Sequence, residues 1–202
     1  MAHTVERFGG IDIVVNNASA INLAPMRDLP VKRFDLMQQI NSRGTFVVTR
    51  AALPHLRESS HAHVLTLSPP LSADPRWLAG HSAYTLSKMG MTMITLGLAA
   101  DEADAGIAAN CLWPRTIIAT AAVQNLLGGD EAMRRARTPE IVADSAHAIL
   151  VRDPRSCTGN AFIDDEVLAE AGITDLDRYA PRADTDLSLD IFVDGWPEGV
   201  PA

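Results

Sequence analysis

The sequence predicts an α/β fold in which a parallel sheet carries helices on both faces. Two observations set the class. Short β-branched or apolar runs at Ile11–Val15, His63–Leu67 and Ile107–Leu112 alternate with longer segments of helical apolar spacing, the pattern of βαβ units with right-handed crossovers. The runs are also nearly continuous in apolar residues, as strands covered on both faces require.

Each element has a local cause. Met1–Phe8 reads as a helix stopped by Gly9-Gly10. The first strand ends at the turn-forming Asn16-Asn17-Ala18-Ser19. Pro30–Leu56 reads as one long helix, with Pro30 at its start and Val31, Phe34, Met37, Ile40, Phe46 and Val47 at helical spacing. His63–Leu67 is the second strand. A proline-rich loop follows from Ser68-Pro69-Pro70 to Gly80, of the kind that carries function on a rigid scaffold. Ser82–Ala100 is a helix and Ile107–Leu112 the third strand, with Trp113-Pro114-Arg115 opening a loop. Ala119–Leu127 is a short helix. Thr138-Pro139-Glu140 caps another that runs to Val151. Ala161–Asp164 is a short fourth strand. The domain is expected over residues 1–180, with residues 181–202 an acidic, proline-punctuated surface tail.

Composition excludes several classes. A net charge of −8, from 17 basic and 25 acidic residues, leaves no electrostatic footprint for nucleic acid. Arg134, Arg135 and Arg137 are the one basic cluster, read as a solvated helix face. Two cysteines are too few for a disulfide framework, and Cys111 reads as a small hydrophobe in a buried strand. His61 and His63 have metal-like spacing without an evident third ligand, and read as surface histidines. No apolar run is long enough to span a membrane and no signal-like segment opens the chain, so a cytoplasmic protein is expected.

Chemistry concentrates on one helix. Tyr84 and Lys88 lie at i and i+4 and emerge on one face. A free tyrosine has a pKa of about 10 and is a poor base at neutral pH. A cation at about 4 Å, in an effective dielectric near 20, supplies roughly 4 kcal/mol, or about three pKa units. The pair therefore suits general acid–base work. The plain alternative is a packed tyrosine and a snorkelling lysine. In parallel sheets, ligands sit beyond the carboxyl ends of the strands. Asn16-Asn17-Ala18, Ser68 and Trp113-Pro114-Arg115 all follow strand ends and are expected to line one crevice.

These motifs together resemble the short-chain dehydrogenase/reductase family. Asn16-Asn17-Ala18-Ser19 is similar to its Asn-Asn-Ala-Gly turn, Asn41 to its helix asparagine, and Tyr84-Thr85-Leu86-Ser87-Lys88 to its Tyr-x-x-x-Lys. Leu67-Ser68-Pro69-Pro70-Leu71 and Leu112-Trp113-Pro114-Arg115-Thr116 are similar to the hydroxysteroid-dehydrogenase-like branch. The resemblance covers roughly Met1 to Tyr179 and implies a Rossmann-like sheet, lacking its first two βα units.

The resemblance also implies roles. Tyr84 would be the acid/base, Lys88 would hold the nicotinamide ribose, and Asn41 would support a water-mediated proton path to Lys88. Asn16, Asn17 and Ala18 would serve the cofactor's adenosine side, and Pro114, Thr116 and Ile117 would meet the nicotinamide carboxamide, with Arg115 where the family has glycine. The catalytic serine usually stands about thirteen positions before the tyrosine; Pro69 takes its motif place, so Ser68 is the candidate and Ser72 the runner-up. Val123–Leu127 would be a substrate lid, with Trp113, Leu126 and Met133 as apolar walls. The helices bearing Asn41 and Tyr84 would build a homo-oligomer.

None of the 13 glycines forms the glycine-rich dinucleotide pattern. The family places that loop in two upstream βα units, roughly 60–90 residues at about 30 per βαβ motif, so an N-terminally truncated chain is expected. Two functions follow. One is an oxidoreductase using NADP or NAD on a carbonyl or secondary alcohol of a small apolar substrate. The other is a non-catalytic remnant that acts by association.

Overall fold

In the computed structural model, residues 1–181 and 185–196 are described. They fall into two compact units, Met1–Leu112 with Leu150–Phe162, and Trp113–Ile149 with the chain from Ile163 onward.

The first unit carries α1 (Ala2–Phe8), β1 (Ile13–Asn16), α2 (Val31–Ile40), α3 (Ser42–Leu56), β2 (His63–Leu67), α4 (Pro75–Leu78), α5 (Ser82–Asp101) and most of β3 (Ala108–Trp113). Gly9 closes α1 in the left-handed region, φ 88°, a conformation that side chains rarely adopt. The second unit carries α6 (Ala121–Leu126), α7 (Gly129–Arg134), α8 (Glu140–Leu150, whose last residue falls in the first unit) and α9 (Asp164–Glu170), with a 3-10 turn at Asp177–Tyr179. β4 (Ala161–Ile163) completes a four-stranded sheet of order β1-β2-β3-β4. β1 pairs parallel with β2 and β2 with β3, with Asn16 opposite Thr66 and Leu67 opposite Leu112.

Burial follows the predicted class. Every residue of β3 and all of β2 except Leu67 are buried. β1 differs from the expected strand covered on both faces. It alternates, Val14 and Asn16 facing inward while Ile13 and Val15 are 42% and 48% exposed. It is the edge strand of this sheet, and the face bearing Asn16 is the one that meets α3. His63 also departs from expectation: it is 1% exposed, because β2 is an interior strand. Its Nε2 lies 3.2 Å from the Arg152 carbonyl, and His61 Nε2 lies 2.7 Å from that of Leu150. Burial and the neighbouring His61 pull the His63 pKa down.

The expected single helix over 30–56 is two helices, broken at Asn41, whose ψ is −78°. α3 packs on β1 and β2 and α5 on β2. α3 and α5 approach closely at Gly90, where a Cβ would come within 2.7 Å of Ser42 Oγ. No helix among the described residues is long and apolar enough to cross a membrane.

In the second unit, the arginine cluster is not one solvated face. Arg134 pairs with Glu131 at the surface, whereas Arg137 is only 6% exposed. The stretch expected at the surface also contributes to the interior, with Phe192 and Val193 buried.

Candidate active site

α5 presents a buried stripe at helical spacing: Tyr84, Lys88, Met91, Thr92, Thr95 and Ala99. Tyr84 is 4% exposed and Lys88 3%. Lys88 Nζ donates to the Leu67 carbonyl at 2.8 Å. That carbonyl is available because β2 ends in a three-residue turn, the Ser68 amide donating to the Thr66 carbonyl at 2.9 Å. A buried ammonium is thereby fixed at the carboxyl end of a central strand.

Asn41 is fully buried and committed on all sides. Its Oδ1 accepts from the Ala20 amide at 2.7 Å, and its Nδ2 donates to the Ala20 carbonyl at 2.9 Å and to Ser87 Oγ at 2.8 Å. Ser87 Oγ donates in turn to the Tyr84 carbonyl at 2.8 Å. The asparagine thus joins the loop after β1 to the turn of α5 that holds Tyr84 and Lys88. Its side chain reaches Ser87, the residue beside Lys88 in sequence.

Asn16 is buried, and its Nδ2 donates to Thr49 Oγ1 at 3.0 Å and to Thr66 Oγ1 at 3.3 Å. Thr95 Oγ1 donates to Thr66 Oγ1 at 2.7 Å. These side chains run a polar thread through β1, α3, β2 and α5. Asn17 and Ala18 are exposed just beyond it.

Ser68 is fully buried, and its hydroxyl accepts from Thr92 Oγ1 at 2.9 Å. Thr92 stands one turn after Lys88 on the same stripe, so Ser68 pins the end of β2 to α5. Ser72 is half-buried, and its hydroxyl accepts from the Asp74 amide at 3.2 Å in the loop leading to α4. Cys111 is fully buried, and burial raises its thiol pKa, as expected of an inert core cysteine. The threonine partners Thr49, Thr66, Thr92 and Thr95 are functional-site neighbours that the motifs alone do not single out. Helical spacing is the signal that could find two of them, since Thr92 and Thr95 follow Lys88 and Met91 at i+4.

A groove of about 460 Å³ in this unit is lined by Met26, Val31, Phe34, Ala83 and Leu86 among others. Tyr84 and Lys88 do not line it. It is an apolar surface feature beside the start of α5.

In the second unit, Pro114, Arg115 and Thr116 are buried and Ile117 half-buried. Arg115 folds its side chain back under its own loop: Nε donates to Asp165 Oδ2 at 2.5 Å, Nη1 to the Gly195 carbonyl at 2.6 Å, and Nη2 to Glu166. Its amide donates to Asp164 Oδ1 at 2.9 Å. Asp164 is fully buried, and desolvation pushes its pKa up to about 6. Of the expected apolar walls, Trp113 is buried and Leu126 is 65% exposed. Among the described residues, no group of three or more histidines, cysteines or carboxylates is arranged to hold a metal.

Residues 1–129 match the family model for short chain dehydrogenase. The chain belongs to the short-chain dehydrogenase family. Its parallel sheet is the Rossmann-like arrangement of that family. It is similar to hydroxysteroid dehydrogenase-like protein 2 of Danio rerio, 49% identical over 194 residues, which cover 96% of this chain and 46% of the relative. Among solved structures, it is similar to a Xanthomonas campestris protein assigned as a dehydrogenase. That match has TM-score 0.92 and 54% identity, covering 96% of this chain and 71% of the other. A short chain dehydrogenase of Mycobacterium thermoresistibile matches with TM-score 0.91 and 51% identity, covering 98% and 70%. This short-chain dehydrogenase chain therefore spans about half the length of the curated relatives it matches.

Proposed function

We propose that the Tyr84–Lys88 turn is the acid–base centre of a nicotinamide-dependent oxidoreductase acting on a carbonyl or secondary alcohol of a small apolar substrate. The observation that carries this reading is the buried pair itself, one helical turn apart, with Lys88 Nζ anchored on the Leu67 carbonyl. A phenol and an ammonium one helical turn apart are a donor set that fits the ribose hydroxyls at the nicotinamide end of a dinucleotide. When bound, the nicotinamide supplies or accepts the hydride.

The chain's own residues handle the proton. Tyr84 gives its hydroxyl proton to the carbonyl oxygen in reduction and takes it back in oxidation. Lys88's charge stabilises the phenolate left behind, and works strongly because the site is dry. Asn41 holds Ser87, and so holds the turn that carries both groups. Ser68 acts through Thr92, fixing the strand end on which Lys88 is anchored, while Asn16 braces the turn before Asn17 and Ala18. Pro114, Thr116 and Ile117 are the segment that family resemblance assigns to the carboxamide. The proposed compartment is the cytoplasm.

The test is titration with NADH and NADPH of this chain and of an upstream-extended form, followed by turnover. Tyr84→Phe should lower kcat by about 10²–10⁴-fold, the usual worth of a positioned proton donor. Retained turnover in that variant overturns the assignment.

A second reading, association without catalysis, draws support from apolar side chains left outside on the same helices. Phe46 and Val47 of α3 are 50% and 43% exposed, and Leu86 and Met93 of α5 57% and 64%. We place a homo-oligomer contact there. Assembly that Phe46→Glu and Met93→Glu abolish, with no nicotinamide binding at millimolar concentration by either form, would favour this reading over the first.

A further inference from the structure

Arg115 occupies a position where its family resemblance expects glycine, and it does not merely fill space. Its side chain is 5% exposed and binds two carboxylates of α9, Asp165 and Glu166, and the carbonyl of Gly195. The main chain around it is held by the same partners. The Asp190 amide donates to the Arg115 carbonyl at 2.8 Å, and the Ile117 amide to the Ser188 carbonyl at 3.0 Å, around an antiparallel bridge between Thr116 and Leu189. Trp113 Nε1 donates to the Ile191 carbonyl at 2.8 Å, and its ring lies 5.8 Å from that of Phe192. On the other side, the Arg137 amide donates to the Ile117 carbonyl at 3.0 Å, while the Ser188 amide joins the strap to the Arg135 carbonyl at 2.9 Å. Residues 113–119 thus run between two neighbouring segments, and the 188–195 segment acts as a strap along them.

We propose that Arg115 is a positioning residue, its side chain clamping the Pro114–Ile117 segment to α9 and to the 188–195 strap. The strap is then a working part of the support behind the nicotinamide-facing segment. This rests on the reading that Pro114–Ile117 meets the nicotinamide carboxamide. The physical case is independent of that reading. A buried guanidinium with three separate acceptors fixes all three relative to each other, and its planar fork loses little freedom in doing so. Glycine at this position would leave Asp165, 6% exposed, without the guanidinium it hydrogen-bonds, with the charge of buried Arg137 as a remaining positive neighbour.

Hydrogen exchange and dinucleotide titration on the full chain decide it. In Arg115→Ala, the Ile117 and Asp190 amides should exchange at least tenfold faster, while Val64 and Leu65 of β2 keep their rates. Arg115→Lys, which keeps the charge but lacks the fork, should restore only part of the protection. In the dinucleotide-binding form, Arg115→Ala should weaken NADH or NADPH binding about tenfold, with kcat at saturation within about threefold. If Arg115→Ala fails to fold, Glu166→Ala removes the solvent-side partner alone and should speed the Asp190 amide by about two- to fivefold. Unchanged exchange at Ile117 and Asp190 overturns the clamp. Faster exchange with unchanged dinucleotide affinity overturns the positioning role. A parent chain and extended form that bind no dinucleotide count against the functional reading, and the exchange rates still judge the clamp.

Discussion

The side-chain amide of Asn41 donates to Ser87 Oγ at 2.8 Å, tying the break between α2 and α3 to the residue just before Lys88. The same side chain makes two bonds to the backbone of Ala20. Asn41→Ala should therefore leave three polar groups without their partner, at about 1–3 kcal/mol for each group that water cannot reach. A loss of about 2–4 kcal/mol in urea unfolding is expected. A loss below about 1 kcal/mol would show that the joint is not a stabilising contact.

Ser68→Ala tests the role given to the strand end. Its hydroxyl is fully buried against Thr92, so the variant should lose about 1–2 kcal/mol of stability. The KM for the carbonyl substrate should stay within about threefold. A rise of tenfold or more in KM would mean that Ser68 reaches the substrate.

Gly90→Ala probes the crossing of α3 and α5. The added methyl would meet Ser42 Oγ at 2.7 Å and Ser42 Cβ at 3.3 Å. Helix propensity favours alanine by about 1 kcal/mol, but overpacking at such a contact costs about 1–3 kcal/mol. Net destabilisation is expected, and Ser42→Ala in the same chain should recover at least about 0.5 kcal/mol of it. A double-mutant cycle with no coupling would refute the steric account.

Two buried groups give opposite responses to acid. The folded-state pKa of Asp164 is raised from 3.8 to about 6 by desolvation. Between those values the folded state holds the extra proton, so stability falls as pH rises, by about 3 kcal/mol once the group is ionised in both states. His63 is the reverse: its folded pKa is lowered from 6.5, so the unfolded state takes up protons first and stability is lost as pH falls below that value. Asp164→Asn should remove the first trend. Its stability advantage over the parent should be larger at pH 8 than at pH 5 by about 1–2 kcal/mol. A constant difference across that range would rule out the raised pKa.

What is legible in the sequence is what rests on short spacing. Tyr84 and Lys88 share a face because four residues make one helical turn, and β2 reads at its observed bounds from one apolar run. The break at Asn41 is hidden, because apolar periodicity continues from Met37 and Ile40 through Phe46 and the bonds that stabilise the break come from Ala20 and Ser87. Ser68 can be named but not oriented: Thr92, its partner, lies 24 positions away on another element. Arg115 is visible only as a missing glycine. Its carboxylate partners stand 50 and 51 positions downstream, and the helix that presents them, α9, has no counterpart in the sequence reading. From sequence, Asp164 reads as a strand end, and Asp165 and Glu166 as the start of an acidic stretch wrapping the surface.

The Arg115 cluster also has a historical consequence. Removing the cation takes away the hydrogen-bonded partner of buried Asp165, and breaking a buried pair costs up to about 3–5 kcal/mol, offset in part here by the charge of buried Arg137. A change from arginine to glycine here therefore carries a stability penalty that a matching change at Asp165 would relieve. Positions 115 and 165 are accordingly expected to evolve as a linked set, with 166, more open to water, following more loosely.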